Sequence, residues 1–226
     1  MPPTGWASVA PQTLEAAFAA AWDALDPSLA AARLRDYYRA DGNYAGATFV
    51  EAVPTDADQV TATDLFAITL LSVNAPKPHT TRQILDPGPI QSLILELLTS
   101  PRLGNNLDLA TADSETLLSM ALFYDLVKRT LGSNPWVTAG KLCARKRPRL
   151  FPVRDRLVCG LLGLSRHSNY EVDWQVYRAL IGDHQLIAAL QAARDEAATT
   201  PGVHIDMFPL RWLDVVLWMH AKSEAR

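Results

Sequence analysis

The sequence contains few residues that could build a disulfide scaffold, a metal cluster or a membrane span. Its two cysteines, Cys143 and Cys159, form neither a CxxC pair nor a cluster with histidine, so they predict reduced thiols in a cytoplasmic protein. An iron–sulfur cluster would need more cysteine ligands than the sequence provides. The longest apolar stretches, such as residues 65–73, are far shorter than the roughly 20 residues that span a bilayer. The chain opens without a basic stretch and an apolar core, so we expect no secretory signal and no membrane partner.

Familiar catalytic motifs are also missing. The sequence has no HExxH zinc motif, no Ser-His-Asp set and no glycine-rich phosphate loop. Its five histidines are scattered, and the pair His204 and Asp206 is too common a combination to indicate a metal site. We therefore predict no metal and no cofactor. Nothing in the pattern predicts an oligomeric state.

Charge, in contrast, is distributed very unevenly. The 226 residues carry a net charge of −3 and have an ordinary globular composition, so a folded protein is expected. Residues 128–156, here called the basic segment, hold nine basic side chains and a single acid, Asp155. That local charge of +8 leaves −11 for the rest of the chain. Arginine outnumbers lysine 16 to 5, which we attribute to a GC-rich bacterial genome.

Alanine- and leucine-rich segments with helical spacing dominate the chain, and no run of alternating strands or repeat interrupts them. They predict an all-α protein over residues 1–226, either as one domain or as two helical lobes built from non-contiguous segments. Helix content should be well above half. Asp26 and Asp113 are predicted helix caps, and residues 41–53 a turn. The predicted helices span residues 13–25, 27–40, 64–73, 88–100, 113–131, 135–147, 152–164, 171–181, 183–197 and 208–221.

Residues 131–164 carry the most specific pattern. They predict a turn, a helix that starts near Thr138-Ala139, a basic link, and a second helix that begins at Pro152. This places Asp155 in the first turn of the second helix, where free backbone N–H groups stabilise an acid. The two helices are expected to pack as neighbours.

That order of parts resembles the helix-hairpin-helix DNA glycosylase superfamily, the endonuclease III-like group. Thr138-Ala139 is similar to the family's helix start, and Pro152-Val153 followed by Asp155 is similar to its Pro-Val-Asp motif. The resemblance implies a helix-hairpin-helix glycosylase-like fold and a flipped base. It also implies that Asp155 stabilises a cationic sugar or positions water. The run TAGKLCARKRPRLFPVRD, together with LLSV and LRWLDVVLWM, more closely resembles an actinobacterial family of unknown function.

Three positions depart from the glycosylase pattern. The two hairpin glycines would fall at Ser133 and Pro135, and a proline has no N–H to offer a phosphate. Val137 stands where bifunctional members carry the lysine that attacks the sugar, so lyase activity is not predicted. Asp155 also lies one residue later than the strict motif, because Arg154 intervenes.

We predict that the basic segment binds DNA or RNA, since a dense positive charge is sufficient to hold a polyanion. Two alternatives stay open: an active monofunctional DNA glycosylase, and a non-catalytic helical protein whose arginines pair with acids of its own chain or of a partner. The sequence does not decide whether the protein is an enzyme. The candidate catalytic residue is Asp155, and the candidate nucleic-acid-binding residues are Thr138, Lys141, Arg145, Lys146, Arg147, Arg149, Arg154 and Arg156.

Three further features have both a structural and a functional interpretation. Asp214 lies in an apolar helix, so we expect it to be buried and paired with an arginine from residues 145–156, although a second catalytic carboxylate is conceivable. The aromatic residues of 37–49 either stack on a base or, more commonly, pack at a seam. Residues 165–174 either contribute to a pocket or, more simply, form a loop and a helix cap.

Overall fold

A computed structural model describes residues 2–51, 56–132 and 135–225 of the chain. Within these residues more than half of the positions are α-helical, and the remaining backbone forms no strand beyond one isolated antiparallel bridge between Arg39 and Val203. The predicted all-α class is therefore confirmed. The helices are α1 (Pro11–Ala24), α2 (Ala30–Tyr38), α3 (Ala62–Ala67), α4 (Pro78–Leu85), α5 (Pro89–Thr99), α6 (Ser114–Leu131), α7 (Trp136–Lys146), α8 (Arg156–Leu161), α9 (Tyr170–Gly182), α10 (His184–Ala198) and α11 (Pro209–Glu224).

Local sequence signals explain most helix boundaries. Asp113 caps α6 as predicted, because its Oδ1 accepts a hydrogen bond from the Thr116 N–H at 2.8 Å. The predicted cap at Asp26 is wrong. Its carboxylate accepts from the backbone and hydroxyl of Ser28, which closes a turn ahead of α2. Helix α4 is not among the predicted helices. It begins at Pro78, and proline is well tolerated in a first turn.

Helix α11 is the central element of the packing. It contacts α1, α2, α8 and α10, and its residues 210–217 are all buried. A helix that is apolar nearly all round needs such cover on every side, so its sequence accounts for its position. Helix α7 packs mainly on α6 and also contacts α3. In the described part of the chain, no helix combines the length and the apolar character needed to cross a membrane.

The link between α7 and α8 differs from the prediction. Helix α8 begins at Arg156 rather than at Pro152, and residues 151–155 are non-helical. Asp155 is the N-cap of α8, with an extended backbone, and its Oδ1 accepts from the Leu157 N–H at 2.9 Å. The predicted packing of the two helices on one another is also wrong, since the main neighbour of α8 is α11. Distant partners hold the link extended: Asp214 accepts the Val153 N–H, and Asp173 binds Arg154.

Candidate functional site

A cavity of about 410 Å³ lies between α2, α7, α8 and α11. We call it the central cavity. It has a polar wall and an aromatic wall, and the extended residues Val153 and Asp155 contribute to its lining. A volume of this size is within the range of small-molecule sites in proteins. The polar wall consists of Lys141, Asp155, Arg211 and Asp214, and the aromatic wall consists of Tyr37, Tyr44 and Trp218, with Lys222 beside them.

Asp155 is the candidate catalytic residue from the sequence, and it lies in this cavity. Its side chain is 23% exposed, and its Oδ2 is 3.8 Å from Nζ of the buried Lys141. The same Nζ donates a hydrogen bond to the Leu71 carbonyl at 2.6 Å, which fixes the ammonium group between the two acceptors. Burial lowers the pKa of Lys141, while the charge of Asp155 raises it. Lys141 therefore holds the Asp155 carboxylate toward the cavity.

Asp214 is buried as predicted, but its predicted arginine partner from residues 145–156 is wrong. Its Oδ2 accepts a hydrogen bond from the Val153 N–H at 2.7 Å, and in the described part of the chain no hydrogen bond of normal geometry reaches its Oδ1. Burial raises the pKa of Asp214 to about 7, against the opposing charge of Arg211. The negative charge of Asp155 contributes to the same upward shift. Asp214 can consequently hold or release a proton near neutral pH.

The aromatic wall is built by residues from α2, the turn that follows it, and α11. The rings of Tyr37 and Tyr44 stack with centroids 5.4 Å apart, and Trp218 meets both rings edge-on. Lys222 places its Nζ 4.6 Å from the centroids of Tyr44 and Trp218. Gly46 fits behind this wall only because it has no side chain, since a Cβ there would lie 2.3 Å from the Tyr37 hydroxyl. Of the aromatic residues of 37–49, Tyr37 and Tyr44 thus lie in the wall beside the carboxylates, whereas Tyr38 and Phe49 are buried and do not line the cavity.

The basic segment is largely buried. Arg145 and Lys146 both bind Asp64, at 3.0 and 2.9 Å, and all three side chains are fully buried. Arg145 also donates to the Phe49 carbonyl at 2.7 Å. Such cations are stable away from water only because each has charged and backbone acceptors.

Arg147 and Arg154 also bind acceptors within the protein. Arg147 donates to backbone carbonyls, among them that of Ala57 at 2.7 Å, and Arg154 forms an ion pair with the buried Asp173. Five of the eight candidate nucleic-acid-binding residues are therefore buried. The pairing of the arginines with acids of the same chain, which the sequence left open, is observed for Arg145 and Arg154.

The remaining three candidates are accessible to different degrees. Thr138 is half-buried on α7, and Arg149 is partly exposed with Asp108 3.4 Å away. Arg156 is exposed at the start of α8. Nucleic-acid binding stays a prediction, but it now depends on far fewer cations than the sequence indicated.

The proposed hairpin lies only partly within the described residues. Ser133 is outside them, Pro135 is the N-cap of α7, and Gly132 follows α6 with φ of +104°. Val137 is half-buried and does not line the central cavity. Among the described residues, no cluster of three or more histidine, cysteine or acidic side chains is arranged to hold a metal.

The sequence missed Arg211 and Trp218, although the spacing of α11 contains the signal that would have found them. Arg211, Asp214 and Trp218 follow one another at intervals of three and four residues, so they share one face of an otherwise apolar helix. Asp64 was missed as well. It opens an apolar helix, and the reasoning that predicted burial of Asp214 applies equally to it.

Comparison with known proteins adds a family but no activity. The profile of a family of unknown function, DUF6308, matches residues 30–221, which is most of the chain. No curated protein matches the sequence, and no solved structure matches it.

Proposed function

The chain belongs to this family of unknown function, and from its central cavity we propose that it hydrolyses an N-glycosidic bond of a nucleotide in a nucleic acid. One observation carries the proposal: two carboxylates in different surroundings, Asp155 and Asp214, line one cavity. Paired carboxylates whose environments separate their proton affinities are the usual apparatus for glycoside hydrolysis. A third group, Lys141, lies close enough to position one of them.

The two carboxylates take different parts in the reaction. Asp155, partly exposed and beside Lys141, is the negative charge that stabilises the developing cation at the sugar C1′ and orients a water molecule. Asp214, whose pKa of about 7 leaves it largely protonated below neutral pH, donates its proton to the departing base. The C1′–N bond breaks, the water oxygen bonds to C1′, and Asp155 accepts the proton that the water releases. The products are the free base and a sugar hydroxyl.

The aromatic wall supplies the binding. A planar base gains stabilisation when it stacks against aromatic side chains, and such contacts contribute about 1–3 kcal/mol per base. Tyr44 and Trp218 offer this surface next to the two carboxylates, with Lys222 able to move aside because its side chain is flexible and half-exposed. Lys141 is a positioning residue in this scheme, since it contacts Asp155 rather than the base.

The resemblance to helix-hairpin-helix glycosylases is part of the same proposal. It is supported by an aspartate that follows Pro152-Val153, caps a helix and faces a cavity. Val137 offers no amine to the sugar, so we propose a monofunctional enzyme without lyase activity. Outside the central cavity, the exposed Arg156 remains available to contact phosphates.

The test is release of free base, measured by chromatography, from nucleosides, nucleotides and oligonucleotides that carry common damaged bases. Asp155→Asn should retain the fold, because asparagine caps helices as well as aspartate does, and should lower the rate at least about 100-fold. Asp183→Asn is the matched control. Asp183 caps α10 through the Leu186 N–H at 2.8 Å and does not line the cavity, so the variant should keep full activity.

Two results would contradict the proposal. One is the absence of base release from every substrate. The other is equal activity of Asp155→Asn and the wild type. Salt-dependent binding of oligonucleotides without base release would instead favour the non-catalytic nucleic-acid-binding protein that the sequence predicts.

A further inference from the structure

A second cavity, of about 280 Å³, lies on the other side of the link between α7 and α8. We call it the basic cavity. Val153 and Asp155 line the central cavity, whereas Arg154 and Arg156 line the basic cavity. Neighbouring side chains of an extended backbone point to opposite sides, so the non-helical link explains why consecutive residues serve two cavities. The basic cavity is lined by Lys128, Trp136, Arg154, Arg156, Cys159, Leu164, Ser165 and Ser168.

The lining contains three cations and no carboxylate. Lys128 and Arg156 form no ion pair with any residue that the structure describes. Arg154 is held in place, because its Nε binds Asp173 and its guanidinium group lies 4.4 Å from the centroid of the Trp136 ring. Within the described part of the chain, no hydrogen bond reaches its Nη2. Lys128 has its Nζ 6.0 Å from the centroid of the Tyr124 ring, which leaves its charge without an acid. One cation of the cavity is therefore fixed by an acid, and the other two have no ion-pair partner among the described residues.

We propose that the basic cavity binds a phosphate group. A phosphate anion accepts several charged hydrogen bonds at once, and arginine is the side chain best suited to donate them because its donors are fixed in one plane. The hydroxyls of Ser165 and Ser168, at the rim, supply further donors. The three cations come from α6, the link and the first residue of α8, so the site exists only in the folded chain.

Phosphate chemistry fits better than a carboxylate ligand or a metal. Because Asp173 already pairs with Arg154, Lys128 and Arg156 supply two positive charges that are unpaired among the described residues. A phosphate can carry two negative charges and a carboxylate only one, and cations repel a metal ion. A phosphate group could come from free phosphate or from the backbone of a nucleic acid, and both present the same oxygens. The site does not depend on the reaction proposed for the central cavity.

The test measures binding of inorganic phosphate and of a short single-stranded oligonucleotide by calorimetry, with chloride at equal ionic strength as the reference. Lys128→Gln and Arg156→Gln each remove one cation that makes no ion pair, so both variants should fold. Each should weaken phosphate binding about tenfold, as loss of one charged hydrogen bond predicts. Arg129→Gln is the matched control, because Arg129 is exposed, adjoins Lys128 and does not line the cavity. It should bind like the wild type.

Three outcomes support the site and identify the source of the phosphate. If the two variants weaken only the binding of free phosphate, the ligand is a small anion. If they weaken only the binding of the oligonucleotide, the ligand is a backbone phosphate. If they weaken both, the site accepts a phosphate group from either source. Binding that is absent in the wild type, or unchanged in both variants, overturns the proposal. Asp155→Asn should bind phosphate like the wild type. A failure of the phosphate site can therefore be distinguished from a failure of the proposed base release.

Discussion

Replacing Asp64 by asparagine should strongly destabilise the protein. Asp64 is the single carboxylate that binds both Arg145 and Lys146, and all three side chains are fully buried. Asparagine keeps the shape and can still accept the Thr61 N–H, which Asp64 accepts at 2.9 Å, so the start of α3 should be preserved. The charge is lost, and an NH2 group takes the place of the oxygen that accepts from the Arg145 Nε. Two buried cations, Arg145 and Lys146, thereby lose this carboxylate.

Breaking a buried ion pair from one side typically costs about 3–5 kcal/mol in free energy of unfolding. For a chain of this length each kcal/mol corresponds to roughly 2–4 °C in melting temperature, so a fall of roughly 6–20 °C is expected. The assay is urea unfolding followed by tryptophan fluorescence, with a parallel thermal melt. Because a typical domain is stable by only about 5–15 kcal/mol, the variant should unfold at clearly lower urea.

Asp86→Asn is the matched control, since it removes the acid of an exposed pair with Arg82 whose side chains are 53% and 80% exposed. Exposed pairs of this kind contribute about 0–1 kcal/mol, so this variant should unfold almost like the wild type. Equal urea midpoints for the Asp64 and Asp86 variants would refute the reasoning. They would mean that the basic segment is held in place by packing and carbonyl contacts rather than by its acid.

Two further predictions concern the central cavity and its surroundings. Asp214 has a pKa of about 7 in the folded protein, against an ordinary value of 3.8 for aspartate, so between these two pH values the folded protein keeps a proton that the unfolded chain releases. The free energy of unfolding should therefore fall as pH rises from roughly 4 to 7, by at most about 1.4 kcal/mol per pH unit from this group. Urea unfolding measured at a series of pH values should show less of this fall for Asp214→Asn. The same dependence on pH in the wild type and the variant would contradict the prediction. Gly140→Ala should destabilise α7 by about 1–3 kcal/mol in the same assay, because the new Cβ would lie 3.0 Å from the Arg154 Cβ. Gly182→Ala is the control, because Gly182 ends α9 with open space around it, and this change should leave stability unchanged or raise it slightly. An equal change in unfolding free energy for the two variants would exclude close packing as the cause.

The sequence alone determined the helical character of the chain and most helix positions. These follow from spacing and caps that act over a few residues, as at Asp113, where the side chain meets the N–H groups of its own first turn. The burial of Asp214 was predictable for the same reason, because its helix is apolar on nearly every side. The choice of Asp155 as a candidate also came from sequence, through its place after Pro152-Val153.

Only the tertiary structure decided where the basic side chains point. Arg145 faces inward because Asp64, 81 residues earlier, and the Phe49 carbonyl meet it there, and no local pattern encodes that encounter. The start of α8 was decided in the same way, since the Val153 N–H finds Asp214 and the link stays extended. A cationic side chain is buried only where distant acceptors compensate for the loss of its contacts with water. Whether it points inward or outward is therefore decided by the assembled fold. The central cavity, whose walls come from α2, α7, α8 and α11, exists for the same reason only after those helices pack.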